Sequence, residues 1–350
     1  VSASPVSSDH ARPLEAYVRR AWERGPGPLL RVAGSAYGLG IAVRHRLYEM
    51  RVLRVMQPAL PVVSVGGVTV GGSGKTPVAA EVASWLIEDG LRTGVATHGF
   101  ADEIAVHQRL NPTADVQGGA DRRAVVEEMA ERGTEVVVLD DGFQRRKLGR
   151  VLDLVVVDAE TLAAGPIRYL PAGPYRERVE QLRRTAAIIV TRRVTEKAVA
   201  VGVADRLAAR FPDTAIFRCC FHPGPLVPAN RAAAAIGSPA PAVAVAAVMK
   251  AGLALAQMAD RYPSLVRRYS FPDHARLDAA TVEGLVRQAG SAGIVGTLKD
   301  VSKLEDVVGE ATPLWYMADE LEWESDHSPL RQRVRTAVER GANDAAGTES

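Results

Sequence analysis

One stretch constrains this chain more than any other: residues 60–78, LPVVSVGGVTVGGSGKTPV. It opens with a short apolar strand, Val62 to Val65, and runs into a loop carrying Gly66, Gly67, Gly71, Gly72 and Gly74. Lys75, Thr76 and Pro77 follow, and then a helical pattern. Strand, glycine loop, Lys-Thr and helix is the order of a phosphate-binding loop. Backbone N–H groups wrap a polyphosphate only where no Cβ intrudes, and the helix N-terminus adds positive charge aimed at the same anion. Thr69, Val70, Gly71, Gly72, Ser73, Gly74, Lys75 and Thr76 are therefore the candidate nucleoside triphosphate loop. Lys75 is placed to reach the terminal phosphates and the Thr76 hydroxyl to ligate Mg²⁺. Pro77 suits a first helical turn, where a missing N–H costs nothing. The general pattern has glycine where this chain has Thr69. A glycine-rich turn that binds nothing is the alternative, and its position between strand and helix argues against it.

The composition leaves room for this reading and removes others. A chain of 350 residues, 47% of them hydrophobic, supports one large or two medium domains. A formal net charge of +2 gives no basis for general polyanion or nucleic-acid binding. The two cysteines, Cys219 and Cys220, are adjacent, which disfavours a disulfide and suggests a reducing compartment.

Along the chain, residues 1–13 read as disordered and Leu14 to Arg24 as a short helix. The uncharged run from Val32 to Val43 has arginines at both ends and is too short to span a bilayer, which needs about 20 residues. It fits either a membrane interface or a helix packed on the protein's own core. Val78 to Ile87 is a helix and Thr93 to Thr97 a strand, with His98 to Glu103 as the loop after it. Arg122 to Arg132 is a helix. The strand Glu135 to Leu139 ends in Asp140-Asp141-Gly142. A carboxylate there can face the loop threonine across a metal, so Asp140 and Asp141 join Thr76 as candidate Mg²⁺ ligands. Phe143 to Lys147, with Arg150, is a basic cluster that either holds an anionic substrate or lipid headgroups, or is a solvated face. Leu154 to Val157 and Ile188 to Val190 are further buried strands, and Leu170 to Glu177 is a turn-rich loop. Alternation of this kind predicts a doubly wound, mostly parallel α/β sheet.

Phe221 to Pro228, with three prolines, reads as an interdomain connector. Beyond it come a strand at Ala232 to Ile236, an apolar helix over Val243 to Ala259 and a strand at Arg268 to Phe271. A helix capped by Asp278 follows, then a strand at Ile294 to Thr297 and a loop from Leu298 to Lys303. The expected organisation is an N-terminal helical segment (1–50), a phosphate-loop domain (51–225), a smaller α/β domain (226–330) and a polar C-terminal helix or tail (331–350).

These motifs in this order resemble the tetraacyldisaccharide 4'-kinases, the lipid A 4'-kinases of Gram-negative bacteria. The matching pieces are VSVGGVTVGGSGKTP, THGF with ADE, VVVLDDGFQRRKLGRVLDLVVVDA, YLPAGPYRE, AAIIVTRR, AAAAIGSP, FPDH and TLKDVSKL, over about residues 28–320. That family carries Thr or Ser at the position of Thr69. The resemblance implies a P-loop kinase that uses ATP and Mg²⁺ to phosphorylate the 4'-hydroxyl of a lipid A disaccharide 1-phosphate. It implies work at the cytoplasmic face of the inner membrane as a peripheral, helix-anchored protein, with no nucleic acid and no obligate protein partner. It makes Asp102 the base on the sugar hydroxyl, assisted by His274, with Lys75 on the phosphates. Glu103, Gln144, Arg145, Arg176 and Glu177 become candidate substrate contacts. It also favours the interfacial reading of the N-terminal segment.

Several positions depart from the family pattern. Gly66-Gly67 stands for Gly-Asn, Thr97-His98-Gly99-Phe100 for Ser-Arg-Gly-Tyr, and Thr297-Leu298-Lys299-Asp300 for Thr-Glu-Lys-Asp. Arg145 and Ala275 each replace a histidine, and the loop before Asp102 has shrunk to Ala101. These bear on the acceptor more than on the nucleotide. The competing readings are a P-loop kinase for another membrane glycolipid or sugar, and a nucleotide-switch NTPase. For the latter, Thr191-Arg192-Arg193 offers no guanine-specific motif.

Overall fold

The computed structural model describes residues 22, 25–273, 275 and 277–347. The expected disorder over 1–13, most of the Leu14 to Arg24 helix and His274 lie outside the described residues. The chain forms two compact units, one of residues 222–320 and one of the described residues up to 221 together with 321–347.

In the larger unit, α1 (Pro28–Glu49) precedes β1 (Val62–Gly67), α2 (Lys75–Glu88), β2 (Thr93–Thr97) and α3 (Ala101–Leu110). Then come β3 (Asp115–Gly118), α4 (Arg122–Glu131), β4 (Val136–Asp140), β5 (Leu152–Asp158) and α5 (Ala159–Ala163). β6 (Ala187–Arg192), α6 (Lys197–Arg210) and the start of β7 (Ala215–Pro228) complete its first pass. The strand order is β3-β2-β4-β1-β5-β6-β7, with these strands parallel to their neighbours. β1 and β4 are buried at every residue, as strands covered on both faces must be. β1 lies between β4 and β5, with Val65 opposite Asp140. The loop leaving β1 and the aspartates leaving β4 therefore emerge side by side at the carboxyl ends of the strands, where such sheets bind ligands.

In the smaller unit, the rest of β7 leads to α7 (Arg231–Ala234), β8 (Val243–Ala246), α8 (Ala251–Arg261) and β9 (Arg267–Ser270). α9 (Ala279–Ala289), β10 (Ile294–Thr297), α10 (Leu298–Val308) and most of β11 (Leu314–Trp323) follow. The order is β11-β10-β8-β9, again parallel. The chain then returns to the larger unit through α11 (Ser328–Gly347), whose Leu330, Val334 and Val338 join the core of Val63, Val65 and Val82.

Several expectations are corrected here. The 221–228 segment, expected as an interdomain connector, does hold the boundary between the two units, but as the end of a long strand rather than a loop; proline suits extended backbone wherever its N–H is not needed. Residues 231–234 are a helical turn, not a strand, because the Asn230 side chain accepts the Ala233 N–H at 3.0 Å and starts it. The run 243–259 divides into a strand and a helix. Val243–Ala246 is buried throughout between β10 and β9, and that burial overrides the helical preference of alanine. The loops expected at 98–103 and 298–303 are already helical from Ala101 and Leu298. The Asp278 cap is present, accepting from Thr281 N at 2.8 Å.

Candidate active site

The glycine loop closes with Gly71, Gly72 and Gly74 at φ of 50°, 64° and 82°. A Cβ on Gly74 would lie 2.3 Å from the Phe221 ring, so glycine is required there on two counts. A strap from the 170–177 loop fixes the path of the phosphate loop. Val70 N donates to Pro174 O at 2.9 Å, and Val68 O accepts from Arg176 N and Glu177 N at 2.9 and 3.2 Å. Across the loop, the Thr191 hydroxyl donates to Ser73 O at 2.9 Å.

Lys75 and Thr76 begin α2. Burial pushes the Lys75 ammonium pKa down, against the pull of Asp141, Asp140 and Glu103. The Thr76 hydroxyl donates to Asp140 Oδ2 at 2.8 Å. That oxygen also meets His107 Nε2 at 3.0 Å, while Oδ1, buried, has no hydrogen-bond partner among the described residues.

Asp141 has a different environment. Its φ of 57° is one that aspartate tolerates, and its carboxylate pairs with other groups than Asp140 does. Arg176 grips it through both terminal nitrogens, and Lys75 Nζ lies 3.9 Å away. Burial would raise its pKa, but Lys75 and Arg176 outweigh that and hold it at about 2.

Of the other candidates, Asp102 and Glu103 occupy the first turn of α3, with Asp102 6% exposed and its Oδ1 accepting Glu103 N at 3.1 Å. Glu103 acts electrostatically on Lys75. Gln144 Nε2 donates to Gly67 O at 2.8 Å, which fixes the start of the loop. Arg145 Nη2 meets His98 Nε2 at 3.2 Å. Glu177 is fully buried, its Oε2 2.5 Å from His45 Nε2 on α1, and Arg146 Nη1 donates to His45 Nδ1 at 2.8 Å.

Two residues here escaped the sequence reading. His107 is spaced four residues from Glu103, a signal visible only if 101–110 is recognised as helix. Arg122, the first residue of α4, is 4% exposed, and burial and Arg145 push its pKa down to about 10 against Glu103, Asp140 and Asp141. Nothing in its Arg-Arg context marks it.

α1 packs through Gly34 and Gly38, where Cβ atoms would come within 2.8 Å of Ala172 and 2.6 Å of Tyr169. Leu29, Val32, Leu39 and Val43 stay exposed, spaced as one stripe along the helix. Among the described residues, no helix is long and apolar enough to cross a membrane.

The arrangement suits phosphoryl transfer: a glycine loop, a largely buried lysine, and a threonine–aspartate pair with one carboxylate oxygen unpaired among the described residues. Known proteins agree. The family model for tetraacyldisaccharide-1-P 4'-kinase matches residues 27–118 and 102–339. Its two stretches overlap over residues 102–118. A tetraacyldisaccharide 4'-kinase of Anaeromyxobacter sp. (strain Fw109-5) is 30% identical over 344 residues, covering 90% of this chain and 92% of the relative. One from Chlorobaculum parvum is 29% identical over 299 residues, covering 75% and 79%. The LpxK crystal structure from Aquifex aeolicus, described as a complex with ATP, superposes with a TM-score of 0.67 at 22% identity, over 87% of this chain and 97% of that one. At that identity it speaks for the fold. On the family match and the extent of these relatives, the chain belongs to the tetraacyldisaccharide-1-P 4'-kinase family.

Proposed function

We propose that this chain transfers the γ-phosphoryl group of ATP to the 4'-hydroxyl of a tetraacylated disaccharide 1-phosphate in lipid A synthesis. The observation that carries the reading is the joined pair of Thr76 and Asp140 beside the glycine loop, in a chain matching the kinase family along nearly its whole length. The loop amides and Lys75 bind the phosphates and offset their charge. Thr76 and Asp140 fit a divalent ion, because a buried carboxylate oxygen without a partner is what a cation would use. When bound, Mg²⁺ supplies neutralisation of the phosphate oxygens. Asp141, saturated by Arg176 and Lys75, instead orients the two cations.

Asp102 takes the proton as the 4'-oxygen bonds to phosphorus and the bridging bond to ADP breaks. The positive end of α3 favours the ionised carboxylate that this role needs. The part of His274 rests on the resemblance alone. Arg122 and Arg145 supply positive charge for an anionic acceptor. The exposed stripe of α1, with arginines nearby, fits a peripheral seat in an anionic membrane surface, and the cytoplasmic leaflet follows from the use of ATP.

The deciding assay offers labelled ATP and Mg²⁺ with the disaccharide 1-phosphate in detergent, and a parallel arm floats the protein with anionic vesicles. Labelled 4'-phosphate product and flotation are expected. No product under conditions where an established family member works would overturn the kinase reading. Product only with a different glycolipid would move it to another acceptor. Failure to float would remove the membrane seat.

A further inference from the structure

His107 belongs to none of the motifs by which the sequence resembles its family, yet it lies against the acid proposed to hold the metal. It is fully buried on α3, one helical turn beyond Glu103. Its Nε2 lies 3.0 Å from Asp140 Oδ2. The same oxygen accepts the Thr76 hydroxyl at 2.8 Å. Since a carboxylate oxygen only accepts, Nε2 carries the proton and donates. His107 Nδ1 then has no hydrogen-bond partner among the described residues, so this ring's single polar contact is with Asp140.

Among the described residues, two donors converge on one oxygen of Asp140 and none reaches the other. A carboxylate held only by Thr76 remains free to rotate about its last torsion and exchange its oxygens. A second donor, fixed on a packed helix, removes that freedom. Orienting partners of this kind behind a metal ligand typically change metal affinity by about 10–100-fold.

We propose that His107 is a positioning residue for metal binding: with Thr76 it fixes Asp140 Oδ2, so that Oδ1 is presented to a divalent cation. This rests on the reading of Asp140 as the cation ligand.

The test measures Mn²⁺ affinity of the full-length protein with ATP bound, by electron paramagnetic resonance, beside ATP affinity without metal and thermal unfolding. The variants are His107→Leu, His107→Gln and Asp140→Asn. His107→Leu is expected to weaken Mn²⁺ by about 10–100-fold, with metal-free ATP binding unchanged. His107→Gln, whose amide can still donate, is expected to recover most of the loss. A folded His107→Leu protein that binds Mn²⁺ like wild type would overturn the proposal and leave His107 as packing. If His107→Leu does not fold, His107→Asn replaces it, since its amide is too short to reach Asp140, and the same criterion applies. Asp140→Asn separates the two claims. If it binds Mn²⁺ normally, the reading of Asp140 is wrong. If it loses Mn²⁺ while the His107 variants do not, only the role of His107 falls.

Discussion

Each unit has a buried aspartate at or just past the carboxyl end of a parallel strand, and the two are hydrogen-bonded in opposite ways. Asp140 ends β4 in the larger unit, and Asp300 lies in the first turn of α10, after β10, in the smaller one. They are 4% and 2% exposed. At Asp300 every oxygen is occupied: Oδ1 accepts Ala247 N at 2.7 Å, and Oδ2 accepts Thr297 N at 3.0 Å and the Thr297 hydroxyl at 2.6 Å. Thr297 and Asp300 thus close a capping box around the start of α10. At Asp140 both donors fall on one oxygen, and the other has no partner among the described residues. Burial and residue type are the same; the difference is that the described residues satisfy both oxygens of Asp300 and only one of Asp140, which is why Asp140 is the one proposed as a ligand.

The largest effects should come from breaking that contrast. Asp140→Asn is expected to lower turnover by a hundredfold or more while moving the denaturant midpoint little, since asparagine still fills the space. Lys75→Ala and Asp102→Ala should each cost about a hundredfold. Asp300→Ala should do the reverse. It removes the box and leaves the Ala247 N–H bare, costing about 2–3 kcal/mol of stability with turnover per folded molecule near wild type. Single-turnover rates beside urea unfolding give both quantities. A stability loss at Asp140 as large as at Asp300, with turnover intact, would show that the bare oxygen has no function.

A smaller effect concerns the departures from the family pattern. By the resemblance, members usually carry arginine at the position of His98 and histidine at that of Arg145, and here His98 and Arg145 are in contact at 3.2 Å. We propose that the two departures are one exchange. His98→Arg alone sets two guanidinium groups together, and Arg145→His alone removes the cation. Each should cost about tenfold in kcat/KM, and the double exchange should recover most of it. Additive losses in the double variant would mean that the two positions act separately.

Much of this site was legible in the sequence, and the rest fails for identifiable reasons. Strand, glycines, Lys75 and Thr76 are contiguous, so local pattern alone finds them. Asp140 and Asp141 are found because a buried strand ends at them. Their division of labour is not, because it depends on a positive φ at Asp141 and on Arg176 arriving from another loop. His107 and Arg122 owe their meaning to burial beside Asp140, and one-dimensional spacing does not carry that. In the smaller unit, Leu298 reads as a lost glutamate, but the capping box uses only Thr297 and Asp300, while Lys299 pairs with Asp273 at 3.2 Å. Residues 243–246 are misread as helix because of the alanine-rich run they begin, and the paired strands β10 and β9 impose strand instead.

Asp141 is a third kind of carboxylate, partly exposed and paired with two cations, and it has the gentlest test. Lys75 and Arg176 hold its pKa at about 2, below the ordinary value of 3.8. A depressed carboxylate contributes stability that is fully present above its unfolded pKa and is lost as pH falls through the folded one. The contribution should therefore be complete above about pH 4 and fade between about pH 4 and pH 2. Asp141→Asn leaves Lys75 and Arg176 without their counter-charge at neutral pH, so it should be the less stable protein there. Its disadvantage should shrink across that acid window, as wild-type Asp141 becomes protonated as well. Urea midpoints for both proteins at half-unit steps from pH 5 to pH 2 measure the difference. Curves that stay parallel through the window would mean that Asp141 is not held by these cations. The fixed pairing that sets it apart from Asp140 would then be lost, and both aspartates would be equal candidates for the metal.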